Sequence, residues 1–379
     1  MPRNRTVTVT IAAVLAVTLL FAAGCSKGDE PYLESREALG TVVGITAYPG
    51  SSADESATAQ AVDKAYLDMR TAEIALDAYA NQMWIDSRFE IGYDPAPERY
   101  ADSIVAFNTS PFLWRILPAQ AERLIERVDA LGVSEYFSPA LFEVTALYGF
   151  EASGTVPAPE TLDYALDIAS TFTTRMTVGA REATFDVSGT VTPPELADDP
   201  VWSTPRAGID LGGAAKGYAI DQAIDALRSS GSIDAALVTA GSTTATYGEK
   251  PDGEAWRVGI EHPREPEQLV ATVEGTGELT VSTSGDYQRY FERDGVRYHH
   301  IIDPATGEPA RGIQSLTVIG AQNATDSDIL STALFVMGLE KASAYAEEHG
   351  LGLVVVDDQG QVHVVPGPDD RTWEILAEE

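Results

Sequence analysis

Cysteine is nearly missing from this chain, with one at position 25 among 379 residues, and positive charge is scarce, with 25 Lys and Arg against 58 Asp and Glu for a formal net charge of −33. A lone cysteine rules out an intramolecular disulfide, so the core must be held by packing alone. The shortage of basic residues, with no window that clusters them, argues against nucleic acid, because a phosphate backbone is bound by displacing its counterions with Lys and Arg. An anionic ligand therefore needs a metal ion or helix N-termini to hold it. The five histidines show no ligand spacing, which disfavours zinc hydrolase chemistry. No internal repeat and no linker divides the chain. The acidic excess is spread along its length, as either a GC-rich genome or a saline habitat produces, and neither origin indicates a function. What is present is 44% hydrophobic residues, 22% charged ones, 32 Gly and 21 Pro, the composition of a globular protein with many turns between short elements, and mixed α and β structure is the expectation.

The N-terminus carries the one long apolar run. Arg3 and Arg5 precede Val7 to Ala23, and the run closes on Ala22-Ala23-Gly24-Cys25. Small residues before a cysteine at the end of a signal-like stretch resemble a bacterial lipoprotein site, which makes residues 1–24 a signal peptide, Cys25 the lipidated residue, 25–35 a tether and 36–379 the working domain. An uncleaved transmembrane anchor with an incidental cysteine is the alternative. Both readings place the remainder outside the cytoplasm, and the first expects it to be held by lipid at a bacterial membrane, on its periplasmic or outer face.

Along the domain, β-branched residues with glycine predict an opening strand over Arg36–Tyr48. Apolar spacing predicts helices over Ser56–Tyr79, Ala119–Leu131, Ser138–Phe150, 160–172, 210–230 and Thr325–Glu340, the last with Thr325 and Asp328 as a capping box. Residues 80–103 read as an irregular excursion and 173–201 as short strands and turns. Strands are predicted over Ala235–Tyr247, Trp256–Glu261, Leu269–Val273, Leu279–Ser282 and Tyr298–Ile302, and a hairpin joins Gly352–Val356 to Gln361–Val365.

Four segments carry chemical potential. In Asp210-Leu211-Gly212-Gly213-Ala214-Ala215-Lys216-Gly217, adjacent glycines before a helix let the backbone approach a phosphate, and Lys216 adds a cation, although a plain tight turn capping a helix explains the same residues. Thr283-Ser284-Gly285-Asp286-Tyr287 is the second. In the third, His299-His300-Ile301-Ile302-Asp303-Pro304-Ala305-Thr306-Gly307, neighbouring histidines of a strand point to opposite faces, so at most one lines a site. In the fourth, Asp326-Ser327-Asp328-Ile329-Leu330-Ser331-Thr332, Asp328 and Thr332 stand at i and i+4 on one helix face and offer two oxygens to a hard cation such as Mg²⁺; an acidic cap followed by a buried threonine is the structural alternative.

Taken together and in this order, the four segments resemble the ApbE family of FAD:protein FMN transferases. Leu39-Gly40-Thr41, Asp102-Ser103-Ile104-Val105-Ala106-Phe107-Asn108 and Tyr136-Phe137-Ser138-Pro139 leading to Leu147-Tyr148-Gly149-Phe150 extend the likeness over roughly residues 36–365. The resemblance implies an exported α+β domain of mixed and antiparallel sheets with packed helices. It would bind FAD and Mg²⁺, move FMN through a phosphoester bond onto a threonine or serine of a membrane electron-transfer flavoprotein subunit, and release AMP. It implies metal ligation by Asp328, Thr332 and the main-chain carbonyl of Gly213. Flavin contacts carry over to Leu39, Asp210, Lys216, Ile301 and Ile302, with Tyr136, Phe137 and Ser138 nearby and Tyr100 as a further ring contact. His300 or Asp286 would serve as general base ahead of Asp303. Three positions depart from the family pattern: Ser138 replaces an aspartate, Thr239-Ala240-Gly241-Ser242-Thr243 replaces an Asn-x-Gly-Gly-Asp turn, and Leu39 replaces a methionine. Hydrolysis of FAD to FMN and AMP, or flavin binding without turnover by a lipoprotein, are the competing functions.

Overall fold

The computed structural model describes residues 30–76, 85–86, 113–150, 154–173, 177–179, 182–184, 206–207 and 210–377. Cys25, the leader, Tyr100 and the 102–108 segment lie outside the described residues. In chain order, strands β1 (Tyr32–Ala38) and β2 (Thr41–Pro49) precede helix α1 (Glu55–Leu76), followed by β3 (Ile85–Asp86), α2 (Leu113–Ala130), α3 (Phe142–Tyr148), α4 (Pro159–Thr173), β4 (Thr177–Gly179), β5 (Glu182–Thr184) and β6 (Arg206–Ala207). Next come α5 (Gly212–Ser229), β7 (Ile233–Ala240), β8 (Thr243–Tyr247), β9 (Trp256–Glu261), β10 (Leu269–Gly275), β11 (Leu279–Gly285), β12 (Tyr290–Arg293), β13 (Val296–His299) and β14 (Ile313–Ile319). The chain closes with α6 (Ala324–Met337), α7 (Leu339–His349), β15 (Gly352–Asp357), β16 (Val362–Val365) and β17 (Trp373–Ala377).

An eight-stranded sheet in the order β1-β2-β7-β8-β11-β14-β15-β16 forms the middle layer, and all its pairings are antiparallel. Period-two alternation assigns its faces. On one face Val43, Ile45, Ala236 and Val238 pack under α1 and α5 through Val62, Met69, Ile220 and Leu227. Further along that face Leu316, Val318, Leu353 and Val355 share a core with Ile329, Leu334 and Phe335 of α6 and with Ala342 and Ala346 of α7. On the opposite face Val281, Ile319, Val354 and Val356 meet Ile260, Val273 and Trp373 of a three-stranded sheet ordered β17-β10-β9. The result is the α+β architecture expected.

Several elements differ from the sequence expectation. The opening strand is a hairpin, because Leu39 (φ 55°) and Gly40 (φ 66°) form a left-handed two-residue turn. Its first strand begins at Tyr32 and pairs through Ala38, so residues read as the end of a tether belong to the sheet. The single strand over Ala235–Tyr247 is likewise a hairpin, folded at Gly241 (φ 57°). The helix expected to reach Glu340 stops at Gly338 (φ 80°) and a second helix follows. β14, at the centre of the sheet's second half, has no counterpart among the strands expected from sequence. The cap of α6 is Asn323, whose side chain accepts from the Asp326 N–H, and not Thr325.

Candidate active site

The glycine segment and the fourth motif sit on two helices that touch. Helix α5 lies so close to the start of α6 that a Cβ on Gly217 would fall 2.2 Å from the Ala324 carbonyl oxygen, and one on Gly213 would fall 3.0 Å from Thr332 Oγ1. Glycine at these positions is a packing requirement. It brings the N-terminal end of α5 against Asp328 and Thr332, and the three residues assigned to a metal from sequence are thereby gathered in one place.

Asp328 is 2% exposed, and a carboxylate so buried needs compensation. Its Oδ2 accepts from the Gly217 N–H at 2.9 Å. Its Oδ1 accepts from Thr243 Oγ1 at 3.2 Å and from Ser282 Oγ at 3.4 Å, and Lys216 Nζ stands 3.5 Å away. Thr332 Oγ1 contacts Ser284 Oγ at 3.2 Å and the Asp328 carbonyl at 3.4 Å. Ser282 and Ser284 lie two apart in β11, on the face that looks at α6. Among the described residues no group of three or more His, Cys, Asp or Glu converges. A cation here would rest on one carboxylate, the Thr332 hydroxyl and the Gly213 main-chain oxygen, an all-oxygen set that suits a hard ion such as Mg²⁺.

Basic groups surround the same spot. Besides Lys216, Arg289 comes within 3.9 Å of where a Gly212 side chain would begin, and the positive end of the α5 dipole faces it. The Arg289 carbonyl accepts from the His300 N–H. His300 is half-buried, and its Nδ1 is shut from solvent with no hydrogen-bond partner among the described residues. Desolvation of the ring, then the charges of Arg289, His299 and Lys216, hold its pKa well below the ordinary histidine range, so the imidazole is neutral.

The other expected contacts are placed differently. Asp210 ties the loop together: its Oδ1 accepts from Gly212 N–H at 2.9 Å, its own N–H donates to the Pro139 carbonyl at 2.7 Å, and Thr145 reaches its Oδ2 at 3.5 Å. This fastens the Tyr136–Ser138 turn beside the glycines, with the Phe137 ring against Gly213 and Lys341 donating to the Tyr136 hydroxyl. Ser138 Oγ accepts from Ala140 N–H. Leu39 forms the hairpin turn and donates its N–H to Glu73. Ile301 and Ile302 are core residues, 3% and 5% exposed; Ile301 also spends its N–H on His299 and its carbonyl on Ala310. Asp286 is gripped by Arg264 through both oxygens at 2.7 and 2.6 Å, with Arg297 at 3.4 Å. That geometry suits an anchor better than a proton acceptor. Thr243, Ser282 and the Gly217 N–H were not singled out from sequence as partners of Asp328; the alternation of β11 would have put Ser282 and Ser284 on one face.

The sequence profile of the ApbE family matches residues 102–355. This chain belongs to the ApbE family. Among curated relatives, the FAD:protein FMN transferase of Vibrio cholerae is 39% identical over 153 residues, covering 40% of this chain and 45% of that protein. The FAD:protein FMN transferase of Treponema pallidum is 40% identical over 172 residues, covering 43% and 47%. The matched stretches thus span less than half of either relative. The crystal structure of the ApbE protein from Thermotoga maritima superposes with a TM-score of 0.65 at 28% identity, covering 88% of this chain and 96% of that one. The matched stretch contains both the glycine segment and the fourth motif, which α5 and α6 bring together here.

Proposed function

We propose that this chain is a Mg²⁺-dependent FAD:protein FMN transferase. The observation that carries the reading is the convergence of Asp328, Thr332 and Gly213 at the positive end of α5, beside Lys216 and a neutral His300. The names of the relatives agree with it. Asp328, Thr332 and the Gly213 carbonyl would hold Mg²⁺, which when bound supplies charge neutralisation and Lewis-acid polarisation of the phosphoryl oxygens.

The chain's own residues do the rest. The α5 N-terminus and Lys216 bind the diphosphate in a protein whose overall charge repels it. An acceptor threonine or serine oxygen attacks the FMN phosphorus in line, the bond from that phosphorus to the AMP oxygen breaks, and His300 takes the acceptor's proton. The products are a phosphoester-linked FMN and AMP. Cys25 would carry the lipid that holds the domain at the outer face of a bacterial membrane or in the periplasm, where an electron-transfer flavoprotein subunit is the acceptor. Among the described residues no helix is long and apolar enough to cross a membrane.

Incubating the protein with FAD, Mg²⁺ and an acceptor domain should give an FMN-sized mass increase on one acceptor hydroxyl, with AMP released in equal amount. FMN and AMP appearing free, with an unmodified acceptor, would make it a FAD pyrophosphatase, and flavin binding without either product would make it a carrier.

A further inference from the structure

Thr243 is fully buried, and its side chain has no role in the sheet ladder. It faces α6, where its hydroxyl contacts Asp328 Oδ1 at 3.2 Å and Ser282 Oγ at 2.9 Å. From Ser282 the contacts continue to Ser331 Oγ at 3.4 Å, from there to Ser284 at 2.8 Å and on to Thr332 at 3.2 Å. A closed row of hydroxyls thus links the two side chains assigned to the cation, and Thr243 stands at its head. The carboxylate cannot donate, so Oδ1 is an acceptor for the hydroxyls beside it, and the Thr243 contact at 3.2 Å is shorter than that of Ser282 at 3.4 Å. With Gly217 N–H fixed on Oδ2, the Thr243 contact on Oδ1 sets the rotation of the carboxyl group from its other side.

We propose that Thr243 is a positioning residue for the cation site: it orients the Asp328 carboxylate, and it does so without adding a second negative charge at a place where an acidic side chain would lie about 3 Å from Asp328. The inference rests on the metal site of the proposed function. Its chemistry makes two different demands. Removing the hydroxyl should loosen the cation by misaligning its ligand. Replacing it with a carboxylate should tighten the cation but destabilise the protein when none is bound, because two buried carboxylates then repel.

The test is Mn²⁺ titration of the full chain followed by electron paramagnetic resonance, with Mg²⁺ as competitor and no flavin present. Thr243→Val, nearly the same shape, should weaken Mn²⁺ binding about 10- to 100-fold, and Thr243→Ser should restore it to within a few-fold. Thr243→Asp should melt at a lower temperature than the parent without metal and gain more than the parent when Mn²⁺ is added. If Thr243→Val fails to fold, Thr243→Ser and Thr243→Asp carry the test alone. Asp328→Ala separates the role of Thr243 from the metal site itself. Loss of Mn²⁺ binding in Asp328→Ala together with unchanged binding in Thr243→Val overturns the role of Thr243 only. Binding retained in Asp328→Ala, or absent in the parent, overturns the metal site and this inference with it.

Discussion

His299 and His300 are neighbours in sequence with opposite surroundings. His299 is buried against the Phe335 ring, donates from Nε2 to the Ala310 carbonyl at 2.8 Å and accepts the Ile301 N–H on Nδ1. Burial lowers its pKa from 6.5 to about 4. The unfolded chain therefore binds a proton on this residue in the window between those values while the folded chain does not. Its contribution is fully present above pH 6.5 and is lost as the pH falls toward 4, to a total on the order of 3 kcal/mol. Thermal melting followed between pH 7 and 4 should show this loss, and His299→Gln, which can keep both hydrogen bonds, should flatten the slope; an equally steep slope in the variant would contradict the assignment. At this scale the opposite facing of the two histidines and the pairing of Asp328 with Thr332 follow from local periodicity. The capture of Asp286 by Arg264 does not, because that partner lies 22 positions away across a turn of the chain and no local rule links them.

Helix α6 owes its placement to three other elements. Asn323 caps it, Arg127 of α2 grips Asp326 in a bidentate pair, and Asp221 of α5 accepts from the N–H groups of Ala324 and Thr325 at 2.9 Å each and from the Thr325 hydroxyl. Asp221 thus fixes the start of α6 from the same helix whose first two turns present Gly213 and Gly217. Asp221→Ala strands those N–H groups in a buried setting and should cost about 2 to 3 kcal/mol in urea unfolding, with Asp221→Asn intermediate; a change below about 0.5 kcal/mol would show the contact to be dispensable. The existence of α6 was legible from its periodicity, and β9 and the final hairpin matched their expected ranges closely. The cap was not legible, since Asn323 and Thr325 both qualify locally and the choice is made by Asp221, 104 positions away from Thr325. β14 was missed because it is buried on both faces and lacks strong alternation. The opening hairpin is hidden in the sequence because the positive φ at Leu39 is unusual for a branched residue, and the β7–β8 hairpin because a single Gly241 interrupts an otherwise strand-like run.

Across the whole molecule, antiparallel strands carry their chemistry to one end of the sheet: the turn before β2, the turn between β7 and β8, the end of β11 and the start of β14. The glycine-bearing end of α5 and the Asp328 side of α6 close over that end. A chain with a formal charge of −33 keeps there a small region where Lys216, Arg289 and a helix N-terminus offset the surrounding field, and it buries one carboxylate in the middle of it. Such an arrangement is costly for stability alone, and under the proposed function that cost would be offset when a cation and a diphosphate bind together. The family pattern made this centre legible in outline, whereas the hydroxyl row that supports it emerges only from the packing of β8 and β11 against α6. The most direct test is acceptor labelling by Asp328→Ala, read by mass spectrometry with FAD and Mg²⁺ at concentrations that saturate the parent. The account predicts complete labelling by the parent and none by a folded Asp328→Ala protein; full labelling by the variant would contradict it.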